Sequence, residues 1–123
     1  MAGLKYERDV LRQLGILYKG IKPSPWLVYS ARNTSGICQP DALWFLAPKH
    51  ICIVEIKLTW VRNAREKLLR FYGPIVEAAH KNHKVSYLQI YKNTKPNSHK
   101  RKLSFFELDV IKPGVYKECH YVI

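Results

Sequence analysis

His50-Ile51-Cys52-Ile53-Val54-Glu55-Ile56-Lys57-Leu58 is the stretch on which the fold turns. An almost continuous apolar run of this length suits a central strand covered on both faces. Glu55 and Lys57 interrupt it at one end, and side chains two apart on a strand leave from the same face. Upstream stands Gln39-Pro40-Asp41. In a chain that spends few carboxylates, Asp41 and Glu55 would hold a divalent metal beside Lys57. That is the minimum equipment for metal-assisted phosphodiester hydrolysis.

Whether the two acids share a site depends on register. Asp41-Ala42-Leu43-Trp44-Phe45-Leu46 reads as a strand, and Ala47-Pro48-Lys49 turns the chain back into the central run. Residues directly opposite each other in an antiparallel pair share a face. A regular two-residue Pro48-Lys49 loop sets residue 41 against 56 and turns Asp41 to the wrong side. A shared site therefore requires an odd loop or a bulge between Asp41 and Glu55.

Outward from this hairpin, residues 3–18 read as a helix. Leu4, Val10, Leu11, Leu14 and Leu17 fall in one arc, with Lys5, Arg8 and Arg12 outside it. Glu7 projects into the apolar arc, where a lone carboxylate is costly unless paired or bound to a cation. Residues 19–25, with Gly20, Pro23 and Pro25, read as a connector. Residues 26–31 read as a first strand and residues 32–36 as a polar turn. The second strand runs from about Ile37 or Gln39 to Leu46. Thr59 is the expected N-cap of a following helix, whose apolar stripe is Trp60, Ala64, Leu68, Phe71 and Ile75. Gly73-Pro74 is expected to kink or restart it. Residues 84–91 form another strand, residues 92–102 a basic loop, and residues 103–108 and 115–123 one or two more strands. Trp44 and Trp60 are expected in the core.

The chain has 123 residues, which is one domain with room for a single core. Its 21 Lys+Arg against 9 Asp+Glu give a formal charge of +12, which calls for a polyanionic partner, nucleic acid first. With 47% hydrophobic residues it is not a disordered basic tail. Cys38, Cys52 and Cys119 lack CxxC spacing and suggest no zinc ribbon or disulfide framework, and Cys52 reads as a small core residue. The His80-x-x-His83 and Cys119-His120 pairs lack partners at metal-site spacing. No signal peptide or membrane-length apolar run is apparent, so a reducing, cytoplasmic setting is expected.

The order helix–strand–strand–strand–helix–strand, with acids at the start of the second strand and the end of the third, resembles the PD-(D/E)xK nuclease superfamily over roughly residues 4–91. The resemblance implies an α/β, restriction-endonuclease-like αβββαβ core, with a mixed central sheet flanked by helices. It also implies that Asp41, Glu55 and the backbone carbonyl of Ile56 bind Mg²⁺ or Mn²⁺, hard ions suited to oxygen ligands. Lys57 would orient the attacking water or stabilise developing charge. Glu7 would hold a second metal or position water. Within the superfamily, Tyr6-Glu7-Arg8, Ser30 and the run from Cys52 to Thr59 look like archaeal-type Holliday-junction resolvases, which cut branched DNA as homodimers. That likeness implies that Arg8 contacts phosphate and Ser30 supports the site. The longer segment 30–41 and the basic loop 92–102 depart from the resolvase pattern. Residues 65–72, ending in Tyr72, also resemble the helix of RecB-type exonucleases, with Leu68 where those carry glutamine.

Arg32, Arg62, Arg65, Arg70, Lys95, Lys100 and Arg101 are the remaining candidates for DNA contact. Scattered cations of this kind hold phosphates and do not read base edges, so selection by DNA shape and steep salt dependence are expected. The alternatives are a nuclease acting on duplex or single strands, a nucleic-acid-binding protein of this fold without catalysis, and a structural RNA-binding protein.

Overall fold

The computed structural model describes residues 2–31, 33–93 and 111–121. In chain order these form α1 (Ala2–Leu17), β1 (Ile21–Pro23), β2 (Leu27–Ala31), β3 (Thr34–Cys38), β4 (Ala42–Ala47) and β5 (His50–Thr59). A helical segment follows, made of α2 (Ala64–Glu66), a wide π-helical turn (Lys67–Tyr72) and α3 (Gly73–Ala79). It leads to β6 (Lys84–Asn93) and β7 (Tyr116–His120). The protein is mixed α/β, with a central sheet ordered β1-β4-β5-β6-β7. Pairing is antiparallel across β1-β4-β5 and parallel across β5-β6-β7, so the sheet is mixed, as expected.

The quoted run is the middle strand. Ile51 through Ile56 are all buried, because each face of β5 meets a different layer. Cys52, Val54 and Ile56 join Tyr6, Val10 and Leu14 of α1. Ile51 and Ile53 join Leu68, Tyr72 and Val76 from the helical segment, together with Leu27 and Cys38. Alternation on a strand thus assigns Glu55 and Lys57 to the face under the helical segment.

The register condition is met by a bulge. Ala47 pairs with His50 across a two-residue turn, but Phe45 pairs with Ile51 and Ala42 with Val54. Leu46 is the extra residue, and its insertion shifts the frame so that residue 41 falls opposite 55.

Several expectations are corrected. The connector contains β1, an edge strand on which Pro23 needs no ladder donor on its outer side. Gly20, at φ +85, makes the turn into it, where a Cβ would lie 2.7 Å from the Phe45 carbonyl oxygen. The expected first strand does not join the central sheet, and the expected second strand joins it only from Ala42 onward, as β4. β2 and β3 pair with each other as a separate two-stranded sheet, and most of the expected polar turn belongs to β3. Leu27 and Tyr29 face the helical segment, Tyr29 edge-on to Phe71 at 5.4 Å, while Trp26, Val28 and Ile37 face outward. Leu4 and Leu17 are 56% and 57% exposed, because the sheet is covered by the middle of α1. Tyr6 takes their place, donating its hydroxyl to the Tyr121 carbonyl at 2.7 Å.

Thr59 is not an N-cap. It ends β5 against Asn93, and the helix starts at Ala64 after Asn63, without a side-chain cap. Trp60 lies outside both helix and core, its indole donating to Glu118 at 3.2 Å. The helix does change character at Gly73-Pro74. The Gly73 N–H reaches back to the Leu68 carbonyl, closing a π turn, and α3 continues from there. Trp44 and Cys52 are buried as expected. The anticipated strand at 103–108 and loop residues 94–102 lie outside the described residues.

Candidate active site

Asp41 is pinned from both sides at the point where the β4–β5 ladder opens. Its backbone N–H donates to Glu55 Oε1 at 2.9 Å, and its own Oδ2 accepts the Ile56 N–H at 2.7 Å. Upstream, Gln39 Nε2 donates to the Ser24 carbonyl at 2.8 Å, and the Ser24 N–H approaches the Asp41 carbonyl at 3.4 Å. Glu55, set one place after the last β4–β5 ladder pair, is buried. Lys57 brings its Nζ to 3.9 Å from Glu55 Oε2, with its own side chain 41% exposed.

Glu7 arrives from α1, half-buried, and its carboxyl group hydrogen-bonds Asp41. Burial and the neighbouring Asp41 charge push Glu7 up to about 7, and the same two causes push Glu55 to about 7. Burial also raises Asp41, opposed by the Ile56 N–H and by Lys57 and Lys67. Glu7 and Glu55 therefore hold protons well above the ordinary carboxylate range, and Asp41 is raised in the same direction. Tyr72 shares their surroundings: burial, then the Glu55 and Asp41 charges, raise its phenol and keep it a neutral donor.

The four residues chosen from sequence, Glu7, Asp41, Glu55 and Lys57, are thus brought together. Among the described residues, no three His, Cys, Asp or Glu side chains form a ready-made metal cage. The donor set nevertheless fits a hard cation. It is all oxygen, and the raised proton affinities of these buried, neighbouring carboxyls mark a place where a cation would displace protons. Asp41, Glu55 and the Ile56 carbonyl would be the holders.

The cations divide differently. Arg62, Arg65 and Arg70 line one surface cavity of about 590 Å³ along the helical segment, and the Arg65 guanidinium lies 5.5 Å from the centre of the Tyr116 ring. Arg8 is exposed on α1 beside Glu7 in sequence. Ser30 is not brought to the acids; it lines a separate groove with Val28, Pro74 and Ile75. Arg32, Lys95, Lys100 and Arg101 lie outside the described residues.

Two residues escaped the sequence reading. Lys67 opens the π turn and lies within electrostatic reach of Asp41 and Glu55. Gln89 stands opposite Glu55 in the β5–β6 ladder. Gln89 had a signal: like Glu55, it interrupts an apolar strand. Lys67 had none, being one of several cations on its helix. Among the described residues no helix is long and apolar enough to cross a membrane. Comparison with protein-family models, curated proteins and solved structures returns no match.

Proposed function

We propose that the protein is a Mg²⁺- or Mn²⁺-dependent deoxyribonuclease that hydrolyses phosphodiester bonds, on the restriction-endonuclease-like plan, with branched DNA as its preferred substrate. The observation that carries this reading is the mutual hold of Asp41 and Glu55, closed by two hydrogen bonds, with Glu7 on one side and Lys57 on the other. A divalent cation would supply Lewis-acid polarisation of the phosphate and a lowered pKa for a bound water. Asp41 and Glu55 would hold that cation, fixed against swinging by their backbone partners. Lys57 would donate to the charge that develops on the phosphate oxygens. Glu7, at a proton affinity near neutrality, would take up the proton the water loses. The water oxygen bonds to phosphorus, the ester bond to the leaving oxygen breaks, and that oxygen acquires a proton.

The net charge of +12 and the arginine-lined cavity supply sequence-independent attraction for the polyanion. The competing reading is a DNA-binding protein without catalysis, and the lack of a preformed cage among the described residues favours it. One assay separates the two. Four-way junction, duplex and single-stranded DNA are incubated with Mg²⁺ or Mn²⁺, with wild type, Glu55→Ala and Lys57→Ala. We expect cleavage by wild type, fastest on the junction, and a loss of about 10²-fold or more in each variant. Equal rates in all three proteins end the nuclease reading. Symmetric junction cutting requires two such centres, so a solution mass of one chain on the junction would end the resolvase-like version alone.

A further inference from the structure

Beside Glu55, the same sheet face carries a buried amide oxygen with no hydrogen-bond partner. Gln89 is the direct ladder partner of Glu55, so both side chains rise from adjacent strands toward the helical segment. Its Nε2 donates to the Ile90 carbonyl at 3.3 Å, which fixes the orientation of the amide. The opposite atom, Oε1, has no hydrogen-bond partner, although Gln89 is only 1% exposed. A leucine of similar volume would avoid the cost of that bare acceptor. Over the amide lies a cavity of about 230 Å³, lined among others by Glu55, Lys57, Asn63, Lys67 and Gln89. Lys57 enters it from the sheet and Lys67 from the π turn, so cations stand on two walls.

Resting on the nuclease reading above, we propose that this cavity is the subsite for one phosphodiester group and its attacking water, with Lys67 holding the phosphate and Gln89 the water. The chemistry divides the roles. A phosphodiester anion offers only acceptor oxygens, and so does Gln89 Oε1, so the two do not meet directly. A water molecule donates one proton to Oε1 while its lone pair faces phosphorus. It loses the other proton to Glu7, the base named above, as the new phosphorus–oxygen bond forms, and the leaving oxygen takes a proton from solvent. The Lys67 ammonium has donors only, which suits an anion. Its Nζ stands 5.2 Å from the centre of the Tyr72 ring, the same phenol that feels the Glu55 and Asp41 charges. Lys67 also draws Asp41 and Glu55 downward against the rise that burial imposes.

The test uses the full chain and a thymidine dinucleotide, which carries a single phosphodiester. With Ca²⁺ present, calorimetry reads binding without reliance on cleavage. Lys67→Met is expected to weaken dinucleotide affinity roughly 10-fold, and Lys49→Met, on the exposed β4–β5 turn, to leave it unchanged. Gln89→Leu is expected to slow single-turnover DNA cleavage in Mg²⁺ by about 10²-fold while raising the melting temperature. Gln89→Glu, which keeps an acceptor oxygen, recovers part of that rate. A purely structural glutamine would lose stability and rate together. Wild-type affinity in Lys67→Met, wild-type rate in Gln89→Leu, or no dinucleotide binding by wild type overturns the subsite. If wild type binds the dinucleotide through Lys67 yet cuts no DNA, the nuclease reading and the Gln89 water role fail together, and only the Lys67 phosphate site stands. If wild type cuts DNA and both variants match it, the subsite fails alone.

Discussion

Glu7, Asp41 and Glu55 crowd the opening of the β4–β5 hairpin, and their electrostatics give the site a pH signature. Glu7 and Glu55 ordinarily titrate at 4.5, and in the folded chain both are pushed to about 7 by burial and by Asp41. The folded state therefore binds protons more tightly than the unfolded state between those limits. Stability from these groups is complete below about pH 4.5 and is lost as pH rises through about 7. Lys57, Lys67 and the Tyr72 phenol face the same acids; the two lysines oppose the rise without cancelling it. Metal-free wild type should thus lose more melting temperature between pH 5 and pH 8 than the Glu7→Gln/Glu55→Gln double variant. Mg²⁺ should restore most of the loss at pH 8 in wild type and little in the variant. Parallel melting curves for the two proteins across that range would show that the acids do not share protons. Glu7 was legible in the sequence because it violates an apolar arc, and a misfit of that kind has few inexpensive explanations. Lys67 was not, since only the fold distinguishes it from Arg62, Arg65 and Arg70.

At the scale of elements, one residue sets the geometry. Leu46 is the extra residue that lets Asp41 stand opposite Glu55 across a two-residue turn. Deleting it leaves a regular two-residue hairpin in which Phe45 still meets Ile51, so residue 41 stays against 55 and residues 42–45 keep their faces. Ala42 and Trp44 stay on the α1 side, and Leu43 on the side of the helical segment. The deletion should therefore keep cleavage and cost on the order of 1 kcal/mol of stability, read by urea unfolding. A folded deletion variant that cuts no DNA would show that the site needs the bulge itself and not only the register it sets. The parity argument for this bulge needed only the turn length and the positions of two acids, so it was available from sequence. The separate β2–β3 sheet was not, because alternating residues read the same whichever sheet they join. The π turn was hidden for a similar reason, as Ala64, Leu68 and Tyr72 keep ordinary helical spacing. Thr59 and Trp60 misled because β5 runs on past Lys57, and its last residues are fixed by pairing with β6 rather than by local preference.

For the whole molecule, the question is how a surface with a net charge of +12 carries a site that gathers three acids. The two are segregated: the acids sit at the β4–β5 opening beneath Lys57 and Lys67, while Arg62, Arg65 and Arg70 line a cavity on the helical segment. A DNA backbone held in the arginine-lined cavity would lie over the same helical layer that roofs Glu55, so attraction and chemistry would be coupled through one element. Each phosphate neutralised by such a cation releases condensed counterions, contributing about −0.9 to the slope of log affinity against log salt on duplex DNA. If each arginine engages one phosphate, the triple variant Arg62→Met/Arg65→Met/Arg70→Met should bind duplex with a slope shallower by about 2 to 3. Arg65 also covers Tyr116, so its loss removes a stacking contact as well as a charge, and circular dichroism should accompany the titration. The affinity loss should be nearly the same for different duplex sequences, because these groups carry no base-edge readout. An unchanged salt slope in a folded triple variant would move the DNA path off the helical layer, and with it the link between the arginine-lined cavity and the acids.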